Sequence, residues 1–579
     1  MDEKQVKDIS LWILSSQKRV FDGDRPAEDI RYFTALKNEP ISFVIAYRSN
    51  VPDTVNGKVF DMPISVRVTS DTLPITMYKV GYLPFSAAEC EDASDCDAGV
   101  CPDVLYKRGS CPNIIKVEGD RRLPYYEENE NRLIIASPHR TRSLYVTVNE
   151  EGKCLMSGEH RVEIEAISLM SGETMEKKTV TVKLIDALLT DNDLIYTNWM
   201  HYDCLEDITG VPVWTDEYFE ILKGTVRNAA IHGMTTLLTP AFTPALDTPI
   251  GTERANVQLV GVRKTNEGYE FDFSLLRRFI EMARECGIKR FEHCHLFSQW
   301  GVRTAINIYG EENGKTVRLF GWDTPATDPE YVSFITLYLN KFLELAKEMG
   351  IENDLFFHIS DEPNESHLEN YTHALNTIKS VIGDKPIGDA LSDYAFFKKG
   401  LVKLPVVRIN HANDFDGRCD SMMLYYTGGE KGGDFTNRLL TNAPWRTRAL
   451  GLHMFRYNAK GFLQWGYNYY YGRMSKCLVD PLTDPCLYKD MPADCYLVYM
   501  SRDNKTMPSL REKSMCEAVN DYRALRVLEG LIGRDAALRV CRDVLGEDVD
   551  IQTIPKSGEA MLALRERVNS EIEKNLKAN

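Results

Sequence analysis

Two carboxylates stand side by side in Leu355-Phe-Phe-His-Ile-Ser-Asp-Glu-Pro363, where an apolar run leads straight into Asp361 and Glu362. A buried strand has no use for charge, so acids at its end call for water or a ligand, and Pro363 keeps the strand from extending its ladder. The bland alternative is that Asp361 N-caps a helix near Glu365 while Glu362 is solvated. Two-carboxylate retaining glycosidases hold acid and nucleophile about 5–5.5 Å apart across the scissile bond, usually from different strands. Adjacent acids suit another division of labour. Glu362, one methylene longer, reaches a glycosidic oxygen as general acid, and Asp361 holds a substrate group that is itself the nucleophile. Mutual repulsion and the apolar strand should raise the pKa of one of them, as an acid working near neutrality requires.

The segments around this pair in the chain are rich in side chains that bind sugars. Candidates are His201 and Asp203 in Trp199-Met-His-Tyr-Asp203, and His295, Gln299 and Trp300 in His293-Cys-His-Leu-Phe-Ser-Gln-Trp300. His358, Tyr425, Trp465, Tyr467, Asn468 and Tyr469 complete the set. Six of the seven tryptophans fall between residues 199 and 465, which makes a set of sugar platforms a better reading than scattered core packing. His293-x-His295 permits a metal site with His201, Asp203, His358 or His411, since strand alternation would put 293 and 295 on one face. Structural or sugar-bonding histidines are commoner, so no metal and no cofactor is assigned.

These residues need a scaffold. Up to about residue 185 the pattern is period two: Ile41, Phe43, Ile45 and Tyr47, then Val162, Ile164 and Ala166, then Val180, Val182 and Leu184, as in a β-sandwich. Beyond Asp186, amphipathic stretches end at Gly233, Gly287, Gly350, Gly383 and Gly461, each followed by a short apolar run. Helix, terminating glycine and buried strand repeated over more than 300 residues predict a (β/α)8 TIM-type barrel, with a doubly wound open sheet as runner-up. Ser509 and Glu512 predict a capping box at the start of a closing helix. The fold class expected is thus multidomain β plus α/β: a sandwich over 1–185, a barrel over 186–530 and a C-terminal helical extension over 531–579.

With 579 residues, 43% apolar and 27% charged, the chain has material for a sizeable core. A net charge of −16 argues against a general nucleic-acid or anionic-membrane binder. No GxGxxG or GxxxxGK[ST] occurs, and Gly428-Gly429-Glu-Lys-Gly432-Gly433 lacks the context of a phosphate loop. No apolar run approaches a membrane span, and the acidic N-terminus lacks a signal-peptide core, so a cytoplasmic location is expected. Cys90, Cys96, Cys101 and Cys111 lie in an Asp- and Ser-rich stretch without a CxxC pair, so reduced loop thiols are favoured over zinc or disulfides.

Taken together, Trp199-Met-His-Tyr-Asp-Cys204, Leu238-Thr-Pro240, His295-Leu-Phe-Ser-Gln-Trp-Gly301, His358-Ile-Ser-Asp-Glu-Pro363, Asn437-Arg438, Gly461-Phe-Leu-Gln-Trp-Gly-Tyr-Asn468, Ser509-Leu-Arg511 and Asp521-Tyr-Arg523 resemble glycoside hydrolase family 123. The likeness runs from about residue 190 to 530. It implies an exo-acting β-N-acetylgalactosaminidase that retains configuration through the substrate's own 2-acetamido group, a substrate-assisted exception to the two-carboxylate rule. It implies that Asp361 orients and polarises the acetamide and that Glu362 is acid, then base. Trp465 would floor the sugar site, and Tyr467 or Tyr469 would hydrogen-bond the acetamide oxygen. The partner expected is a glycan ending in β-GalNAc, with neither nucleic acid nor membrane insertion. The sequence departs from the family pattern at Pro492-Ala-Asp-Cys-Tyr496, where a Gly-Asp order is expected and Asp494 is instead preceded by Ala493 and followed by Cys495. Other readings remain: a barrel β-galactosidase using Asp203 or Asp389 as a second carboxylate, or a carbohydrate-binding protein without activity.

Overall fold

A computed structural model describes residues 8–51, 54–55, 58–59, 62–85, 99–107, 133–169, 171–430, 432, 434–485 and 491–578. Cys90, Cys96 and Cys111 lie outside the described residues; Cys101 is buried, its thiol directed at the Leu440 carbonyl at 3.4 Å.

The period-two segments form two five-stranded sheets. One orders Ile9–Ser15, Ile41–Ser49, Arg142–Val148, Ile75–Phe85 and Gly99–Lys107, all antiparallel. The other orders Tyr32–Leu36, Thr174–Ile185, Gly158–Ser168, Met62–Thr69 and Leu133–Ala136, with only the Tyr32–Leu36 pairing parallel. Phe43, Ile45, Leu144 and Val146 meet Ile64, Val66, Val162, Ile164 and Val182 between them, as the alternation requires. The opposite face is not solvated, however. Val44, Ala46 and Tyr145 pack with Leu510 of the helix Leu510–Ile532, so the first sheet is buried on both sides. The seam is pinned by a buried Asp103–Arg511 ion pair at 3.0 Å and by the Leu105 N–H donating to the Pro508 carbonyl.

From residue 195 the chain alternates short parallel strands with helices. The strands of its two parallel sheets are Ile195–Asn198, Thr236–Thr239, Arg290–His293, Leu355–Phe356, Ala390–Leu391, Val406–Arg408, Met423–Tyr425 and Gly461–Gln464. Gly233, Gly287, Gly350 and Gly383 all take positive φ just past the helices that precede four of these strand positions, which favours glycine there, although Gly383, at ψ −124°, is not a left-handed helical cap. Gly461 is a correction: it opens its own strand, where a Cβ would sit 2.1 Å from the Ile195 carbonyl oxygen. Among the described residues the strands do not make one continuous closed ladder, so the expected closed TIM barrel is not seen in the strand pairing. They form an arc of five, from Ala390–Leu391 round to Ile195–Asn198, and an arc of three, Thr236–Thr239 to Leu355–Phe356. Between the arcs run single contacts, Thr235 N–H to the Tyr196 carbonyl at 3.0 Å and a lone Phe357–Ile387 bridge. The ladder stops there because the next N–H, that of Ile359, is taken by the Asp389 carboxylate at 3.0 Å.

Ser509 caps the helix Leu510–Ile532 by accepting from the Glu512 N–H, but the Glu512 side chain binds Tyr467 and Asn228 instead of returning to the cap. Only half of the capping box is realised. Two further helices, Arg534–Leu545 and Gly558–Ala578, follow. Among the described residues no helix is long and apolar enough to cross a membrane.

Candidate active site

Because the strands are parallel, their C-terminal ends share one rim, and the residues after them converge there. The Leu355–Phe356 strand delivers His358, Asp361 and Glu362. Asp361 is half-buried and Glu362 exposed. Glu362 sits at φ 44°, a left-handed conformation that a non-glycine residue holds at a cost of about 1–3 kcal/mol, and such strain gathers at functional sites. The capping alternative does not apply: Asn364 takes that role, accepting from the Ser366 N–H at 3.0 Å. Tyr425, at the end of its strand, donates its hydroxyl to Glu362 Oε1 at 3.0 Å, and the Trp300 N–H donates to the Asp361 carbonyl at 3.2 Å. Enclosure, and then the neighbouring Glu362 charge, push the Asp361 carboxyl up to about 8.

Behind the pair lies an ionic sandwich of three fully buried side chains. His358 Nε2 donates to Glu292 at 2.5 Å, and its Nδ1 to Asp389 at 3.2 Å. Burial would lower the imidazole pKa, but Glu292 and then Asp389 outweigh it and raise it to about 9. Glu292 also accepts from the Trp199 indole at 2.6 Å and the Thr197 hydroxyl at 2.8 Å. Asp389 accepts from the Tyr371 hydroxyl at 2.5 Å. His295 stacks on His358, ring centroids 4.5 Å apart, and neither of its buried nitrogens has a hydrogen-bond partner. Burial and the His358 charge hold it well below the usual imidazole range, hence neutral. His295, His358 and Asp389 bring ligating atoms within 4.8 Å of one another, spacing a cation could bridge. Both His358 nitrogens are already engaged by carboxylates, however, so a metal would have to displace that proton-bearing arrangement. His293 is a correction: it does not share a face with His295 but turns outward to Tyr338 at 2.8 Å and packs edge-on to Phe342. The strand ends at His293, so alternation no longer governs residue 295.

A second group stands after Ile195–Asn198 and Gly461–Gln464. His201 lies against Tyr469 and Trp465, with ring centroids at 4.9 and 6.4 Å. Its Nε2 meets the Trp465 carbonyl at 2.9 Å and its Nδ1 meets Arg254 at 3.2 Å; burial, and then Arg254, lower it to about 3. Asp203 is locked by the same Arg254 in a bidentate pair at 2.5 and 2.7 Å. Trp465 is half-buried, and its indole N–H is held by Asp494 at 2.8 Å. Ala493 before it has φ 55°, which explains why glycine is expected there. Gln299 is buried against the Thr248 carbonyl, its Oε1 without a partner, while Trp300 is 39% exposed.

Two expected sugar contacts are corrected. Tyr467 points away from the rim, its hydroxyl donating to Glu512 at 2.7 Å and accepting from Asn228. Asn468 spends its amide on the His201 backbone, at 2.9 and 3.0 Å, and so positions that residue. Glu292 and Arg254 were missed. An acid inside the short buried strand Arg290–His293 was the available signal for Glu292; Arg254 lies in a loop and carried none.

The chain thus joins a two-sheet sandwich to a parallel α/β unit, with acids and aromatics gathered at the strands' C-terminal rim. The catalytic-domain description of glycoside hydrolase 123 matches residues 199–528, and the chain belongs to that family. Over 98% of both chains it is similar in fold to a family 123 glycoside hydrolase from Clostridium perfringens solved to explain glycolipid glycan hydrolysis, with TM-score 0.70 and 13% identity. A Bacteroides uniformis β-glucuronidase aligns with 86% of this chain and 48% of its own, at TM-score 0.30 and 9% identity, too slight a likeness to carry an argument. No curated protein matches.

Proposed function

We propose that this glycosidase is an exo-acting β-N-acetylgalactosaminidase that works with retention by substrate assistance, its two strand arcs acting as halves of a (β/α)8 barrel. The observation that carries this is the state of the other acids on the rim. Asp203 is paired with Arg254, Asp389 and Glu292 with His358, and Asp494 with Trp465 and Gln464. Of these rim acids, Asp361 and Glu362 are the two whose carboxylates are not taken up by Arg254, by His358 or by the Trp465 indole and Gln464 amide, and being adjacent they cannot straddle a glycosidic bond. The nucleophile is then best supplied by the substrate.

One proton serves both carboxyls. In the free protein it rests on Asp361, the more enclosed, while Glu362 accepts from Tyr425. A bound acetamide N–H donating to Asp361 favours its ionised form, and the pair's proton is then Glu362's to give. As Glu362 protonates the glycosidic oxygen, the C1–O bond breaks and the acetamide oxygen bonds to C1, forming an oxazolinium ring. Glu362, now a carboxylate steadied by the Tyr425 hydroxyl, takes a proton from water as that water attacks C1 and reopens the ring. Trp465, half-buried and backed by the buried Tyr469 and His201, would be the face on which the sugar stacks.

The test compares aryl β-N-acetylgalactosaminide, aryl β-N-acetylglucosaminide and aryl β-galactoside, with Glu362→Gln as control. Turnover confined to the acetamido sugars, fastest for GalNAc and abolished in the variant, is expected. Equal turnover of the plain galactoside would refute substrate assistance. Binding of GalNAc without turnover of any substrate would instead make the chain a binding protein.

A further inference from the structure

Where the sandwich meets the loop before the Pro444–Arg448 helix and the start of the Gly558–Ala578 helix, there is a cavity of about 600 Å³, within the range of small-ligand sites and sharing no lining residue with the rim. Arg19 lines it and is only 5% exposed. One of its nitrogens, Nη1, donates to the Leu440 carbonyl at 2.6 Å, but Nε and Nη2 are buried with no hydrogen-bond partner. Those two atoms form one edge of the guanidinium plane, the two-donor fork that matches a pair of oxyanion oxygens. A buried guanidinium edge left unsatisfied works against folding unless something fills it.

Other walls of the cavity suit a sugar. Trp445 and Phe21, both half-buried, offer aromatic faces. Gln17 uses its amide nitrogen on Ser16 and Glu517, and its buried Oε1 is left as an acceptor. Glu28 and Glu559 hydrogen-bond to each other beside Lys18, Lys556 is paired with Asp434, and the third acid of the lining, Glu566, is exposed; among the described residues Arg19 makes no ion pair. We propose that this cavity is a second saccharide site that holds an acidic sugar, its carboxylate or sulfate on the Arg19 fork and its ring against Trp445. It would tether an acidic glycan to the protein independently of what the rim cleaves.

Calorimetric titration of the full chain with methyl β-glucuronide, methyl galactoside 6-sulfate and neutral methyl β-glucoside tests this. At least one charged probe should saturate, at least tenfold more tightly than the neutral sugar, and the comparison of the two charged probes identifies the oxyanion. Arg19→Lys keeps the charge but loses the fork, and Trp445→Ala removes only a half-buried face. Each should weaken charged-probe binding at least tenfold while turnover at the rim stays unchanged, and thermal unfolding of Trp445→Ala, compared with wild type, shows that the loss does not come from unfolding. Equal affinity for the neutral sugar, no saturation by any probe, or undiminished binding in both variants would overturn the proposal.

Discussion

The charge on His358 can be tested by removing one of its two partners. Glu292 is fully buried and its carboxylate is the stronger of the influences that lift the imidazole from about 6.5 to about 9 against its own burial. At 1.36 kcal/mol per pH unit, that rise corresponds to about 3 kcal/mol of folding free energy. Because the folded pKa lies above the unfolded one, the contribution is complete below about pH 6.5 and is lost as pH climbs through about 9. Glu292→Gln preserves volume and an acceptor for the Trp199 indole but removes the charge. Burial should then prevail over Asp389 alone, leaving His358 neutral at pH 7.5. The charge of His358 also lowers the Asp361 pKa, so its loss should make Asp361 harder to ionise. An opposite charge this close is typically worth one pH unit or more, so kcat/KM near neutrality should fall about tenfold or further. Histidine-labelled protein followed by NMR across pH 6–10, with His358→Asn to assign the signal, reads the imidazole directly. A neutral His358 in the wild type at pH 7.5, or an imidazolium persisting in Glu292→Gln, would refute the reasoning.

On the substrate-assisted reading the Asp361–Glu362 pair must keep one proton, so kcat/KM should decline above about pH 8; Glu362→Gln, which removes the repelling charge, should lower the Asp361 pKa in a carboxyl-labelled NMR titration. The same substitution should cut kcat by about 10²–10⁴-fold, the usual reach of general acid–base catalysis. Tyr425→Phe deletes one hydrogen bond to the Glu362 carboxylate, worth about 1.5–3 kcal/mol if charge-assisted, and should lower kcat more than tenfold with little change in KM. Asp203→Asn strands Arg254 beside His201 and should cost about 3–5 kcal/mol of local stability, seen as faster hydrogen exchange in the loop around Arg254.

Much of the framework was legible because local chemistry decides it. Glycine is favoured where a helix ends at positive φ, and Gly233, Gly287, Gly350 and Gly383 declare those ends whatever surrounds them. Gly461 misled for the same reason, since a close approach by the Ile195 carbonyl also demands glycine and lies more than 260 residues away in the chain. The candidate pair Asp361–Glu362 stood out because two acids abutting an apolar strand and a proline have few structural uses. Tyr467 was not, for a tyrosine near an aromatic rim looks the same in sequence whether it faces the cleft or Glu512.

The sequence by itself determined the alternation of strand and helix, the β-sandwich face and the adjacent acids, all set by contacts within a few residues or by residue type. Tertiary structure alone decided what each charged group does. Glu292, His358 and Asp389 come from three different strands' neighbourhoods, and only their meeting in a dry interior turns a histidine into a held cation. The same burial commits Asp203 to Arg254 and covers the outer face of the first sheet with Leu510. In water these acids would be interchangeable; removed from it, each must find a partner, and the pairing is fixed by which chain segments pack together.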